Sequence, residues 1–348
     1  MRWIDRSALL VRVAWVLFVA CALAGCAGRN ASSGALSSIS SPAPAPRLKL
    51  SLSEPAVPAA ALPAAHAARP YRVGVSLLTR DDEFYKALEE GLKKEAARQR
   101  IDITVTSADK DLNKQINQTQ NFIAQKMDAV VLCPVDSQGI FSAVAAANKA
   151  NIPVFTADIA STAGKVVCHI ASDNVAGGKL DGQYLGKLLD GKGSVAILDF
   201  STVTSVVDRV KGFKQAIASF PGIHIVADED VEGAKIENAV PKATDILTAH
   251  PEINAIFGIN DPVALGALSA LRQLNRTNVV VVGFDAVPEA QADIAADTAL
   301  KADAIQYPRV IGAATVDAVV RYLNGQPVPP TIPIPTGLVQ HSSFVGPR

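Results

Sequence analysis

From Tyr71 onward the chain alternates short β-branched runs with longer amphipathic segments. That alternation narrows the possible folds more than any other feature of the sequence. Strands are predicted at 72–77, 102–106, 129–133, 153–157 and 166–171, then at 194–198, 224–227, 255–258, 278–283 and 300–305. Helices lie between them. Phe84, Leu88, Leu92 and Ala96 make one i, i+4 stripe, and Leu112, Ile116, Ile123 and Met127 make another. Asp261-Pro262 predicts a helix start, with Asp261 as the cap and Pro262 in the first helical position. Runs such as 279–282 are apolar throughout, as in parallel sheets covered on both faces. Repeated βα units of this kind imply an α/β fold of doubly wound, Rossmann-like parallel sheets. The 348 residues suggest two such units at roughly 150 residues per domain.

What precedes Tyr71 has a different character. Arg2, Arg6 and Arg12 form a basic start, 13–22 is a short apolar run, and Leu23-Ala24-Gly25-Cys26 follows. The run is too short to be a comfortable membrane span. The arrangement resembles a bacterial lipobox and implies a signal peptide over 1–25, with Cys26 acylated as the first mature residue. Buried acyl methylenes, at about 0.8 kcal/mol each, would anchor such a chain to a membrane. Residue 27 is Ala rather than Asp, so the simplest inner-membrane retention signal is absent. Residues 26–70 are rich in Ala, Pro and Ser without apolar periodicity, which predicts a flexible tether spanning on the order of 35–40 Å.

Charge and motifs remove several function classes. Lys plus Arg and Asp plus Glu each number 33, so no basic field exists to hold nucleic acid. Loss of the leader takes three Arg and one Asp with it. Four cysteines are too few for a disulfide scaffold. The sequence has no GxGxxG, Walker loop or GxSxG, and its five histidines are scattered. No cofactor, no metal site and no enzymatic activity are therefore expected.

In doubly wound sheets ligands bind at the C-terminal tips of the strands. Asp158, Asn260, Asp285 and Gln306 follow four predicted strands at equivalent positions. Any one of them reads equally well as a cap or turn former. Together, four short polar groups can converge on one polyhydroxylated ligand, whose hydroxyls both donate and accept.

The stretch from Tyr71 to about residue 339 resembles the ribose/galactose type of periplasmic sugar-binding protein. The likeness is carried by Asn151-Ile152-Pro153-Val154, His169-Ile170-Ala171-Ser172-Asp173-Asn174, Leu247-Thr248-Ala249-His250-Pro251, Asn260-Asp261, Ala264-Leu265-Gly266-Ala267 and Val281-Val282-Gly283-Phe284-Asp285. Repressors share the fold behind a helix-turn-helix; here a lipobox and tether stand instead. The resemblance implies a periplasmic binding protein of type I, with two lobes, 71–173 plus 307–334 and 174–306 plus 335–348. The chain would cross between them near Asp173-Asn174, Gln306-Tyr307 and 332–335. It implies ligand contacts from Asp82, Phe84, Tyr85, Asp158, Asn260, Asp285 and Gln306, with Phe84 and Tyr85 stacking on the sugar. The implied function is capture of a sugar-like ligand by a monomer, outside the cytoplasm, for delivery to an ABC permease. The alternative is a sensor for a membrane kinase or chemoreceptor. Family order also puts a strand between Cys133 and Cys168, which favours two buried free thiols over a bridge.

The pocket departs from the family at several positions. Ile159 stands where the family places an arginine, Val207 aligns with a second, Ala234 with a stacking aromatic and Asp82 with an asparagine. Arg209, close by, is expected to face elsewhere. The lost guanidiniums leave Asp82, Asp158 and Asp285 short of counter-charge. Three remedies are open: Arg80 or another cation folds in, ligand hydroxyls satisfy the carboxylates, or the ligand is itself positive.

Overall fold

The computed structural model describes residues 49–50, 52–55 and 66–345. In chain order these form β1 (Lys49–Leu50), β2 (Arg72–Leu77), α1 (Glu83–Gln99), β3 (Asp102–Ser107), α2 (Leu112–Ala124), β4 (Ala129–Leu132), α3 (Phe141–Lys149), β5 (Val154–Ala157) and β6 (Cys168–Ser172). Next come α4 (Asn174–Leu188), β7 (Lys192–Asp199), α5 (Thr204–Ile217), β8 (Gly222–Asp230), α6 (Ile236–Ala249), β9 (Ile253–Gly258), α7 (Asp261–Gln273) and β10 (Val280–Asp285). The chain closes with α8 (Pro288–Ala295), β11 (Leu300–Ile305), α9 (Pro308–Leu323), β12 (Thr331–Ile334), β13 (Gly337–Gln340) and β14 (Phe344–Val345).

Two six-stranded sheets organise these elements. The first has the order β12-β6-β5-β4-β2-β3 and is parallel throughout. The second runs β13-β11-β10-β9-β7-β8, with only β13 antiparallel to its neighbour. Strands β4 and β5 are buried at every position, which explains why β4 is apolar throughout and β5 apolar but for Thr156. The chain passes from first sheet to second after β6, returns after β11 through Gln306-Tyr307, and crosses again at Pro335-Thr336. That third crossing lies at the end of the 332–335 stretch, because Thr331–Ile334 pairs with β6 as an edge strand. The edge position is what tolerates Pro333.

Helix α1 is built as its stripe predicts. Asp82 caps it by accepting from the Phe84 amide, and Phe84, Leu88, Leu92 and Ala96 are all buried. The second stripe needs correction. In α2 the buried positions are Gln115, Thr119 and Phe122, while Leu112, Ile116 and Ile123 are only half-buried. Gln115 sits in the core because its amide donates to the Cys133 carbonyl and accepts from the Val135 N–H. Backbone partners satisfy it fully, so burial carries little penalty. Met127 lies beyond the helix end.

The predicted tether is also partly wrong. Lys49–Leu50 pairs with Phe344–Val345, and the Ala68 N–H and His66 carbonyl are both bound by the Asn324 side chain. The alternation Leu48-Lys49-Leu50-Ser51-Leu52-Ser53 is a strand pattern that the local abundance of Ala, Ser and Pro obscured. The signal peptide, Cys26 and the start of the tether lie outside the described residues. Cys133 and Cys168 are buried and free, with β5 between their strands.

Helices α4 and α5 approach backbone to backbone. A Cβ at Gly178 would stand 2.0 Å from the Arg209 carbonyl oxygen. This contact fixes the height of α5 beneath the cleft, and with it the position of the Arg209 side chain.

Candidate functional site

Between the two sheets, at the C-terminal ends of their strands, lies a cavity of about 140 Å³. A single water needs only roughly 10–15 Å³ on the same measure, so a small ligand fits. All seven residues singled out from the sequence line it: Asp82, Phe84, Tyr85, Asp158, Asn260, Asp285 and Gln306. The lobes also touch around it. Lys110 Nζ donates to the Gly233 carbonyl at 2.9 Å, and Thr204 Oγ1 accepts from the Ala160 N–H at 3.1 Å.

The strand tips hold their side chains by unusual backbone. Asp158 follows β5 with φ 66°, and Asp285 ends β10 with φ 117°. Aspartate tolerates the left-handed region that Asp158 occupies, whereas a φ near 117° is rare for any residue with a side chain. The Tyr85 hydroxyl donates to Asp158 Oδ2 at 2.5 Å, and Gln306 Nε2 donates to Asp285 Oδ1 at 2.5 Å. The other oxygens, Asp158 Oδ1 and Gln306 Oε1, are buried with no partner among the described residues. Phe84 and Tyr85 form an edge-to-face pair with centroids 5.2 Å apart. Tyr85 is therefore engaged edge-on with its neighbour and through its hydroxyl with Asp158, rather than stacked parallel to Phe84.

Two assignments change. Asn260, not Asp261, caps α7: its Oδ1 accepts from the Val263 N–H at 3.0 Å, and Pro262 follows at the second helical position. Its amide nitrogen remains at the cavity wall, 3.5 Å from the Ala234 carbonyl. Asp261 turns into the second lobe, where Oδ2 accepts from the Val287 N–H at 2.6 Å.

The second correction concerns the missing cation. Val207 is 48% exposed on the outer face of α5, whereas Arg209 is 5% exposed and lines the cavity. Its Nε donates to Asn174 Oδ1 at 2.9 Å and its Nη1 to the Ile259 carbonyl at 2.8 Å, 3.5 Å from Asp285 Oδ1. The guanidinium lies 4.0 Å over the Phe284 ring. Helical periodicity could have found it, since Arg209 continues the buried face of Ser205, Val206, Val210 and Phe213. Lys110 is the second cation of the cavity. Arg80 faces away, bound to Glu89 at 2.7 Å. Ile159 lines the wall without charge, and Phe200 supplies an aromatic of the second lobe near Ala234. Lys110 and Phe200 sit in loops after β3 and β7, where no periodicity marks them.

The sequence from 73 to 327 matches the model of the periplasmic binding protein domain family. The chain belongs to that family. This periplasmic binding protein is 32% identical over 292 residues to the ribose import binding protein of Escherichia coli (strain K12), covering 84% of this chain and 98% of the relative. It also resembles the D-allose-bound ABC transporter periplasmic solute binding protein of Actinobacillus succinogenes 130z. The TM-score is 0.73 at 28% identity, over 79% of this chain and 99% of that one. The Caulobacter myo-inositol binding protein, bound to myo-inositol, is similar with a TM-score of 0.74 at 26% identity, over 80% and 96% of the two chains.

Burial dominates the electrostatics of the binding protein's cleft. It pushes the Asp158 carboxyl up to about 6, opposed by the Arg209 charge and the Tyr85 hydroxyl. Burial raises Asp82, and lifts Asp285 well above the usual carboxylate range against the pull of Arg209. Lys110 is shifted down by burial, with the Asp82 charge opposing. Behind the cavity, burial and the adjoining Asp303 carboxyl lift Asp261 well above its ordinary value. A Cβ on Gly283 would stand 2.5 Å from Asp303 Oδ2 and 3.3 Å from Asp261 Oδ1, so the two acids converge over that glycine.

Proposed function

We propose that this periplasmic binding protein captures a small polyhydroxylated ligand, a sugar or a polyol, between its lobes and delivers it to an ABC importer. The carrying observation is the pair of buried, unpartnered acceptors, Asp158 Oδ1 and Gln306 Oε1, on the wall of an interlobe cavity. Acceptors left bare in a dry site cost free energy until a donor reaches them, and ligand hydroxyls are such donors. The relatives support the class of ligand, being a ribose import protein and proteins with allose or myo-inositol bound. These relatives are binding proteins, and we assign this chain no reaction.

In this reading Asp158, Asn260, Asp285 and Gln306 contact the ligand, Asp82 and Arg209 flank it, and Phe84 and Tyr85 pack against its apolar face. A lost charge-assisted hydrogen bond costs about 1.5–3 kcal/mol. Asp285→Ala should therefore weaken, at least tenfold, the binding of whichever of D-ribose, D-allose and myo-inositol the wild type holds in titration calorimetry. Unchanged affinity in both Asp285→Ala and Asp158→Ala would refute the placement.

A ligand that touches both lobes favours the state in which they meet, by its differential affinity for that state. A permease reading the spacing of the two outer surfaces then distinguishes loaded from empty protein. Saturating ligand should reduce the radius of gyration in small-angle scattering; binding without compaction would rule this out.

Anchoring is proposed from Leu23-Ala24-Gly25-Cys26, which lies outside the described residues. Cleavage before Cys26 and its acylation would hold the protein at a membrane facing out of the cytoplasm. Cys26→Ser should shift it from the membrane to the soluble fraction. An intact mass with another N-terminus and no acyl chains would contradict the proposal.

A further inference from the structure

The carboxylates of the cavity do not find equal partners within the protein. Arg209 serves Asp285, 3.5 Å away, and spends its other contacts on Asn174, the Ile259 carbonyl and the Phe284 ring. Lys110 lies in the field of Asp82 and hydrogen-bonds the Gly233 carbonyl. Asp158 is left with a neutral partner, the Tyr85 hydroxyl on Oδ2. Its Oδ1 is buried and unpartnered, and the next residue is the apolar Ile159. With all groups ionised the wall carries three negative charges against two positive ones.

The approach to the cavity is biased in the same direction. A groove that shares Asp82, Lys110 and Ala234 with the cavity is lined further by Asp81, Glu83, Asp109, Glu237 and Glu289; Lys86, Lys114 and Lys235 pair with Glu83, Asp109 and Glu237, which leaves Asp81 and Glu289 without an ion pair among the described residues. Such a field attracts cations and raises their encounter rate.

We propose that the captured polyol carries a protonated amine, seated against Asp158 Oδ1. The inference rests on reading the cavity as a sugar or polyol site and narrows the class to amino-deoxy sugars and amino-deoxy cyclitols. A hydroxyl would satisfy the Oδ1 acceptor but leave its charge unbalanced. An ammonium does both, and forms the stronger, charge-assisted bond. The groups facing Asp158 are Tyr85 and Asp82 from the start of α1, Cys133 after β4 and Arg209 from α5. Arg209 is the cation among them and is already committed to Asp285.

The test is titration calorimetry at pH 7.5 with amino-deoxy derivatives of D-ribose, D-allose and myo-inositol, each beside its neutral parent and its N-acetyl form. At least one amine should bind tenfold or more tighter than its parent, and N-acetylation should abolish the gain. Lowering the pH to 5 should weaken the amine, because Asp158 takes up a proton near pH 6. Asp158→Asn should remove the preference for the amine over its parent. Neutral parents that bind as well as the amines would overturn the inference while leaving polyol capture standing. Binding by neither set would overturn both. The acetylation and pH arms need only wild-type protein, so they decide the matter even where Asp158→Asn fails to fold.

Discussion

Arg209→Met should lower stability by about 3–5 kcal/mol at pH 8, the cost of removing one partner from a buried ion pair. The side chain is buried, and four interactions leave with it: those to Asn174, the Ile259 carbonyl, Asp285 and the Phe284 ring. Methionine fills much of the volume, so the loss reports charge and hydrogen bonding more than a cavity. The Arg209 charge also acts on Asp158 and Asp181, both buried. Without it these carboxyls take up protons more readily, so the loss should shrink as the pH falls to 5. Urea denaturation at both pH values measures this. Val207→Ala, two residues away on the exposed face, should stay within about 0.5 kcal/mol. A loss below 1 kcal/mol for Arg209→Met at pH 8 would show that the buried acids do not depend on it.

Stability should fall as the pH rises from 6.5 to 8.5. Burial pushes Asp181, Asp261 and Asp303 well above their ordinary values, so the folded protein keeps protons that the unfolded chain has lost. Each retained proton gives a decline of about 1.4 kcal/mol per pH unit until the group ionises. One proton held by the Asp261–Asp303 pair is enough to set that slope for as long as the pair keeps it. Below pH 6.5 those protons still favour the folded state, since the unfolded carboxyls take them up only at about pH 4. Asp158, raised to about 6, favours the folded state as the pH drops. His169, lowered to about 4 by burial, disfavours it. Asp199 and Asp317, also raised to about 6, side with Asp158, so stability should go on rising as the pH falls toward 5. Asp303→Asn mimics the protonated acid, since its carbonyl oxygen can still accept from the Ala286 N–H. It should flatten the alkaline decline and raise stability at pH 8.5. A denaturation midpoint that climbs with pH in both proteins would reject the buried-proton account.

How far the site could be read in advance depended on where each residue lies. Asp158, Asn260, Asp285 and Gln306 stand at or just beyond the C-terminal ends of strands whose periodicity is plain, so topology alone carried them to one crevice. Asp82, Phe84 and Tyr85 came through a resemblance. Arg209 was misplaced because Val207 aligned with the family's arginine, although its helix face would have corrected the error. Lys110 and Phe200 carry no local signal, because loop conformation brings them to the wall. Asp261 matched every rule for a helix cap and still was not one. Its neighbour Asn260 took the Val263 N–H, leaving Asp261 to point inward toward Asp303.

By itself the sequence determined the α/β class, the two parallel sheets and the crevice in which their strand tips meet. Those properties follow from side-chain periodicity, which acts over a few residues and survives any tertiary detail. Tertiary structure decided the charge balance of the cavity. Whether a buried carboxylate is matched depends on ångström-scale distances between elements far apart in the chain, because interior electrostatics fall steeply with distance and exposure. Helix α5, held by its contact at Gly178, gave Asp285 a guanidinium. Nothing comparable reached Asp158, so that carboxylate meets the cavity with one oxygen bare.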